Sequence, residues 1–500
     1  MKKNYLKKVS AFIIIMTLVL ALTACGKNST GNSNTSTDVT GTPTNTDNNN
    51  PGNSNEVAKP KQITFMVNGT LITKENGQDE VVKAYEEKTG IKLIVNQPAH
   101  NEYYEKVDLA FATGEIPDVL LLSTDMYVTY AVNGALYDIT DLYEKSEVKN
   151  NMVDQSIVDA LRLDGRLYGL PVERGNGPIT YVRGDWLEKL NIDVPTNYDE
   201  FIEMLRKFRD EDPDGNGEKD TIPFTAPGLM GINYVREFYQ DANPGFYKKD
   251  GKWVDGMTEP EMKAALQRMQ DAYKEGLIDK EVVTNKTSTC RDKFYAGNVG
   301  VFNYWAGLWN QTLQNNIEAN VPEAKVLPIP AIAETKYIER VAPPVSITTK
   351  CENPEGVFKY FLEFMLDCGE GQTLFTHGIE GLMYEMKDGK MVKLPSMQDP
   401  NTTFDKVFMS GSLSITKYDD PYEYPDIIMN SLAMFQKDAV QDVLLPASEV
   451  LTKYMSELDS IKSEIIAKVV YGEATVDEGL NEYTQKAKGY VDQILADINK

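Results

Sequence analysis

Residues 61–122 read KQITFMVNGTLITKENGQDEVVKAYEEKTGIKLIVNQPAHNEYYEKVDLAFATGEIPDVLLL, and their apolar spacing switches repeatedly between two periods. Ile63 to Val67 is a strand-length apolar run. Asp79 to Lys88 places apolar residues at 81, 82 and 85, a helical spacing, and Gly90 supplies the stop. Ile91, Leu93 and Val95 alternate as a second strand. Glu102 to Thr113 carries Val107, Ala110 and Phe111 on one side of a helix that ends at Gly114, and Asp118 to Leu122 is a short buried strand. Strands and helices in strict alternation predict α/β layers.

The same punctuation recurs downstream. Thr196 with Asp199 has the pattern of a capping box ahead of the stripe Phe201, Leu205 and Phe208. Thr258 with Glu261 repeats it, with Pro260 in the first turn, and Met262, Leu266, Met269 and Tyr273 then share a face before Gly276. Pro354 opens a helix bearing Val357, Phe361 and Phe364. Residues 447–498 read as two amphipathic helices broken near Gly472. There is no internal repeat.

The first 24 residues stand outside this pattern. Lys2, Lys3, Lys7 and Lys8 form a positive start, and Ala11 to Ala24 is uncharged. That run is short against the roughly 20 apolar residues a spanning helix needs, and it suits a signal peptide. It ends in Leu22-Thr23-Ala24-Cys25, which resembles the lipobox of bacterial lipoproteins; an ordinary secretory signal with an incidental cysteine is the alternative. Lipidation of Cys25 would add a diacylglyceryl group and an N-acyl chain of the palmitate type, enough for stable anchoring. Residues 26–60 are almost devoid of apolar side chains and cannot offset their own ordering entropy. They read as a flexible tether with a reach of roughly 30–35 Å.

At 500 residues, 41% hydrophobic, the chain exceeds one ordinary core, so two domains are expected. The formal net charge is −24; loss of the first 24 residues removes four lysines and no acid, giving −28. Such a body is unsuited to nucleic acid or anionic lipid and leans toward a neutral solute. His100 and His377 are the only histidines, which excludes a His-rich metal site or a pair of catalytic histidines. Besides Cys25 there are Cys290, Cys351 and Cys368, an odd number that argues for small buried hydrophobes rather than a disulfide framework.

Several short motifs then occur in a particular order. They are Gly114-Glu115-Ile116-Pro117-Asp118-Val119, Asn133-Gly134-Ala135-Leu136, Leu167-Tyr168-Gly169-Leu170-Pro171, Tyr181-Val182-Arg183-Gly184-Asp185-Trp186-Leu187, Val194 to Glu200, Phe294 to Val301, and Gly378-Ile379-Glu380-Gly381. Together they resemble the family 1 extracellular solute-binding proteins, the maltose-binding-like group, in its long Gram-positive lipoprotein branch. The resemblance covers 61–500. It implies an α/β, two-lobed periplasmic-binding-protein-like fold whose discontinuous lobes are joined by hinge strands near 171–178, 327–331 and 376–390. The expected division is a signal peptide at 1–24, a lipid-anchored linker at 25–60, one lobe from 61–174 and 329–385, and the other from 175–328 and 386–500. The implied function is capture of a carbohydrate, an oligosaccharide by preference, through cleft closure, and its delivery to the permease subunits of an ABC importer. The implied protein is a monomer, lipid-anchored on the extracytoplasmic face of a bacterial cell membrane, with no enzymatic activity and no catalytic cofactor. Two alternatives stay open: a secreted carbohydrate-active enzyme, which would need paired carboxylates in a cleft, and a binding protein that presents its solute to a membrane receptor.

Candidate ligand contacts follow from strand ends and from the resemblance. Trp305 and Trp309 lie in Asn303-Tyr304-Trp305-Ala306-Gly307-Leu308-Trp309, just after a predicted strand. An indole face matches the apolar face of a pyranose. Trp305 comes first after the strand and is the favoured platform, with Trp309 and Tyr304 as substitutes; two core tryptophans are the alternative. Asp125 follows the strand at 118–122, where open α/β sheets place ligands, and could instead cap a helix. Glu173 and Arg174 flank the first crossing and could equally be a structural pair. Asn68 ends the first strand, and Glu380 and Tyr384 lie near the third crossing.

The sharpest local motif is Asp212-Pro213-Asp214-Gly215-Asn216-Gly217-Glu218-Lys219-Asp220. Side-chain oxygens of Asp212, Asp214, Asn216 and Asp220, the Glu218 carbonyl and Gly217 match the spacing of an EF-hand calcium loop. Position 12 of that loop is Pro223, not the usual glutamate. Relatives in the long branch bind calcium here with an acid directly after the ninth position, where this chain has Thr221. A structural calcium ion is the expectation, with a metal-free Asx/Gly turn as the alternative.

Overall fold

The structure is a computed structural model that describes residues 57–68, 72–99, 102–395 and 407–500. Cys25, the lipobox, the tether to residue 56 and His100 lie outside those residues.

The opening α/β pattern forms as expected. Strands β1 (Gln62–Met66), β2 (Lys92–Asn96) and β3 (Val119–Leu121) are parallel neighbours, with helices α1 (Gln78–Thr89) and α2 (Tyr103–Thr113) between them. Helix α3 (Thr124–Val132) follows β3. The chain then adds β4 (Leu170–Pro171) and crosses to β5 (Pro178–Arg183), β6 (Ile222–Thr225), the hairpin β7 (Phe246–Lys249) and β8 (Lys252–Asp255), β9 (Val299–Trp305) and β10 (Val326–Pro328). It returns through β11 (Tyr337–Glu339) to β12 (Pro344–Ile347) and the hairpin β13 (Tyr384–Lys387) and β14 (Lys390–Lys393), and later forms β15 (Ala439–Gln441). The first sheet has the order β2-β1-β3-β12-β4 and the second β10-β5-β9-β6. All six residues of β5 are buried, as are the first six of β9, because this sheet is covered on both faces.

Each sheet has its own core. Ile63, Phe65, Leu93, Val119, Leu120, Val345 and Phe361 belong to the first. Val182, Phe201, Phe224, Leu266 and Val301 pack on one side of the second sheet with the C-terminal helices Glu449–Val470 and Val476–Ile498. Ile179, Tyr181, Phe302, Leu313 and Phe435 form a further core around that sheet. Residues 386–415 were expected with the second body, but Met391, Val407, Phe408, Met409 and Ile415 pack into the first core. Phe408 holds them there, its ring lying 5.8 Å from Phe65 and 5.7 Å from Phe375.

Two caps differ from expectation. Asn197, not Thr196, caps the helix Tyr198–Asp210, accepting from the Glu200 N–H at 3.0 Å, while the Glu200 carboxylate accepts from the Thr196 N–H and hydroxyl, each at 2.8 Å. Thr258 donates to the Asp255 carbonyl instead of capping Glu261–Lys274, because a short 3₁₀ turn and Pro260 intervene. Asn353 caps the helix that Pro354 opens, and Gly472 separates the two C-terminal helices. Cys290 and Cys351 are buried and Cys368 half-buried, all as free thiols.

Candidate functional site

Two stretches of chain connect the two sheets and touch each other. Residues 172–177 lead from β4 to β5. Residues 329–343 lead back and contain β11, which pairs in parallel with β15. The Arg340 N–H donates to the Asn176 carbonyl at 3.2 Å, and the Asp442 N–H to the Glu339 carbonyl at 2.8 Å. Gly175 and Gly177 permit this approach: a Cβ on either would lie 1.9 Å from the Arg340 carbonyl oxygen or 2.2 Å from that of Ile338. The crossing that the family resemblance implied near 171–178 falls on this stretch, and its two glycines, not singled out from the sequence, make the close backbone approach possible.

Trp305 is the last residue of β9 and stands opposite Pro178, where β5 begins. It is partly exposed. Its carbonyl accepts from the Tyr181 hydroxyl at 2.9 Å, and the Arg340 guanidinium lies over its ring, 4.5 Å from the centroid. Tyr234 is close enough to both for them to act on its phenol, which burial pushes up to about 12. Arg340 also feels Glu173 and Tyr104, and Tyr104 in turn feels Asp125. Side chains from α2 and α3, from both connecting stretches and from the end of β9 therefore converge on one place.

Asp125 keeps an exposed side chain, and the surrounding protein raises its carboxyl above the ordinary range. The capping role belongs to Ser123, which accepts from the Met126 N–H, so Asp125 is not consumed as a cap. Asp442 and Asp459, one beyond β15 and one on Glu449–Val470, are likewise raised, first by desolvation and also by the charge of Asp125. The charge of Asp125 thus reaches carboxyls carried beyond β15 and on Glu449–Val470.

The other sequence candidates fall in different places. Tyr304 and Trp309 turn into the core around the second sheet, 5% and 8% exposed, with their rings edge-to-face at 4.7 Å and Arg291 over both. Alternation along β9 makes neighbours 304 and 305 point oppositely, so only one can face out. Arg174 makes a bidentate pair with Glu339, both bonds at 3.0 Å, and Glu173 accepts from the Ser410 N–H at 3.2 Å. Asn68 lies two residues beyond β1 and is buried, its carbonyl accepting from Gln97. Glu380 is exposed, and Tyr384 packs edge-on to His377, whose Nε2 is 2.8 Å from Asp420. Tyr104, Tyr234, Arg340, Asp442 and Asp459 were missed. They sit singly on separate elements and share no spacing that a sequence motif could reveal.

The Asp212–Asp220 loop lies apart from this cluster. Asp212 adopts a left-handed backbone (φ 48°), as do Gly215 and Gly217. Asp212 accepts from the Gly215 and Gly217 N–H groups at 3.1 Å, and Asn216 Nδ2 donates to both Asp214 and Asp220 at 3.0 Å. Glu218 is exposed and its N–H donates to the side-chain Oδ1 of Asn216. Partial burial, then the neighbouring Asp212, raises the Asp214 carboxyl. Among the described residues no three His, Cys, Asp or Glu side chains are grouped to hold a metal ion.

Residues 73–367 match the model of the bacterial extracellular solute-binding proteins, and the chain belongs to that family. It is 25% identical over 478 residues to lipoprotein LipO of Bacillus subtilis, covering 89% of this chain and 93% of that protein. It is 24% identical over 364 residues to the polygalacturonan/rhamnogalacturonan-binding protein YtcQ of the same organism, covering 68% and 70% of the two chains. The fold matches that of the alginate-binding protein AlgQ2 solved without calcium ion, with TM-score 0.67, 23% identity and coverage of 88% and 97%. The family is one of extracellular solute-binding proteins, and the structural neighbour has the two-lobed fold.

Proposed function

We propose that this chain captures a carbohydrate between its two bodies and hands it to the permease subunits of an ABC importer. The observation that carries the reading is the partly exposed indole of Trp305 at the junction of the connecting stretches, ringed by polar groups from both bodies. One stacking face with a few oriented polar side chains is how a saccharide is held. The two bodies, each built around one of the two sheets, close about the connecting stretches as a hinge. Asp125, Glu173 and Arg340 contact the solute, with Asn68 at the strand edge. Names among the matched proteins, including oligosaccharide-binding relatives, support this class of ligand. Titration of the chain with a panel of oligosaccharides tests it: stoichiometric binding with the sugar recovered intact is expected. Turnover of the sugar, or no binding across the panel, would refute it.

The anchoring reading rests on Leu22-Thr23-Ala24-Cys25 and on the likeness to a lipoprotein. Cys25→Ser is expected to abolish lipid labelling and to leave unprocessed or released protein. Unchanged membrane association and labelling would count against it.

The Asp212–Asp220 loop supplies hard oxygen donors suited to calcium, and its crowded carboxylates would be relieved by a cation taking the place of the Asn216 amide protons. The role is structural, because the loop joins Tyr198–Asp210 to β6 away from Trp305. Chelator is expected to lower the melting temperature and calcium to restore it, since an ion that binds only the native state stabilises by mass action. Asp214→Ala should remove that response; a variant that responds like the wild type would place the metal elsewhere or nowhere.

A further inference from the structure

Two arginines stand side by side at the junction and are treated differently. The fork of Arg174 is closed by the Glu339 carboxylate, with both bonds at 3.0 Å. The guanidinium of Arg340 lies on the Trp305 ring at 4.5 Å, its Nε is enclosed without a hydrogen-bond partner, and among the described residues no carboxylate reaches ion-pair distance from it. Its backbone is held by the Asn176 carbonyl and by the tight passage of Gly175, so the side chain is presented from a fixed base. A planar fork that is pre-oriented by an aromatic face and lacks its matching anion is built for a carboxylate.

Resting on the reading of this place as the saccharide site, we infer that the solute is an acidic sugar, a uronate-containing oligosaccharide whose carboxylate docks on Arg340 while its ring packs by Trp305. The acids Asp125, Asp442 and Asp459 accept hydroxyl protons and repel a second anion, so the carboxylate has one favourable end of the cleft. This reverses the expectation of a neutral solute drawn from the net charge: a field summed over the whole chain does not decide the partner of one enclosed guanidinium.

The test is calorimetric titration of the full chain with trisaccharides of galacturonate, glucuronate and mannuronate, each beside its methyl ester. At least one acid is expected to bind about tenfold or more tightly than its own ester. Arg340→Gln should remove most of that preference, so that acid and ester then bind within about threefold of each other. Arg340→Lys should retain only part, since an ammonium keeps the charge without the fork. Acid and ester binding alike to the wild type, or neutral sugars winning throughout, would overturn the inference while leaving saccharide capture intact. Binding of no saccharide would overturn both. The wild-type comparison needs no variant to fold.

Discussion

Replacing Trp305 by alanine is expected to weaken saccharide binding by roughly 1.5–3 kcal/mol, or about 10–150-fold, at little cost to folding. The indole is partly exposed at the end of β9, so much of its apolar area is covered only when a ligand arrives. The substitution also removes the face on which the Arg340 guanidinium rests, freeing that side chain to move. The neighbouring Trp309 should behave oppositely. It is 8% exposed and wedged against Tyr304 and Arg291, so truncation to alanine should cost about 3–5 kcal/mol of stability and change affinity per folded molecule little. Calorimetric titration and denaturant unfolding on the same two variants separate the roles. A Trp305→Ala protein that loses stability but binds normally would move this residue into the core and require the cleft to be redrawn.

A loss of stability just as large is expected at Lys462. Its ammonium and the Asp255 carboxylate lie 3.1 Å apart with side chains 1% and 0% exposed. The contact is electrostatic rather than a well-aligned hydrogen bond, since Asp255 Oδ1 has no hydrogen-bond partner; Lys462 instead donates to the Pro244 carbonyl at 2.7 Å. Tyr483 donates to Asp255 Oδ2 at 2.7 Å, and burial together with that carboxylate pushes its phenol far up. Lys462→Ala therefore strands a buried anion and should destabilise by about 3–5 kcal/mol in denaturant unfolding. The combination Lys462→Met, Asp255→Leu and Tyr483→Phe should recover most of that loss, because the desolvation penalty disappears with the charges. If the single variant unfolds like the wild type, the pair is not the tie that the geometry describes. The tie matters for the site, because it clamps the helix Glu449–Val470, which carries Asp459, onto the β7–β8 hairpin.

The sequence by itself determined the elements of this protein and the nature of its layers. Residues 61–122 announce alternating strands and helices because burial on one face imposes a period of two or 3.6, and Gly90 and Gly114 end the helices where left-handed backbone is needed. The short motifs were enough to recognise the family. The positions of Trp305 and Asp125 just beyond strand ends were readable from the sequence, because a rule of position rather than of contact singles them out as candidates. Tertiary structure alone decided the rest. It packed Met391, Val407, Phe408, Met409 and Ile415 into the first core, since Phe408 meets Phe65 over a separation that no local pattern encodes. It turned Tyr304 and Trp309 inward, and it closed Arg174 on Glu339, 165 residues away. It left Arg340 over Trp305 with an unpartnered nitrogen. Periodicity reports which residues are buried; only the folded chain fixes which charges meet, because partners far apart in sequence are chosen by the path of the backbone between them.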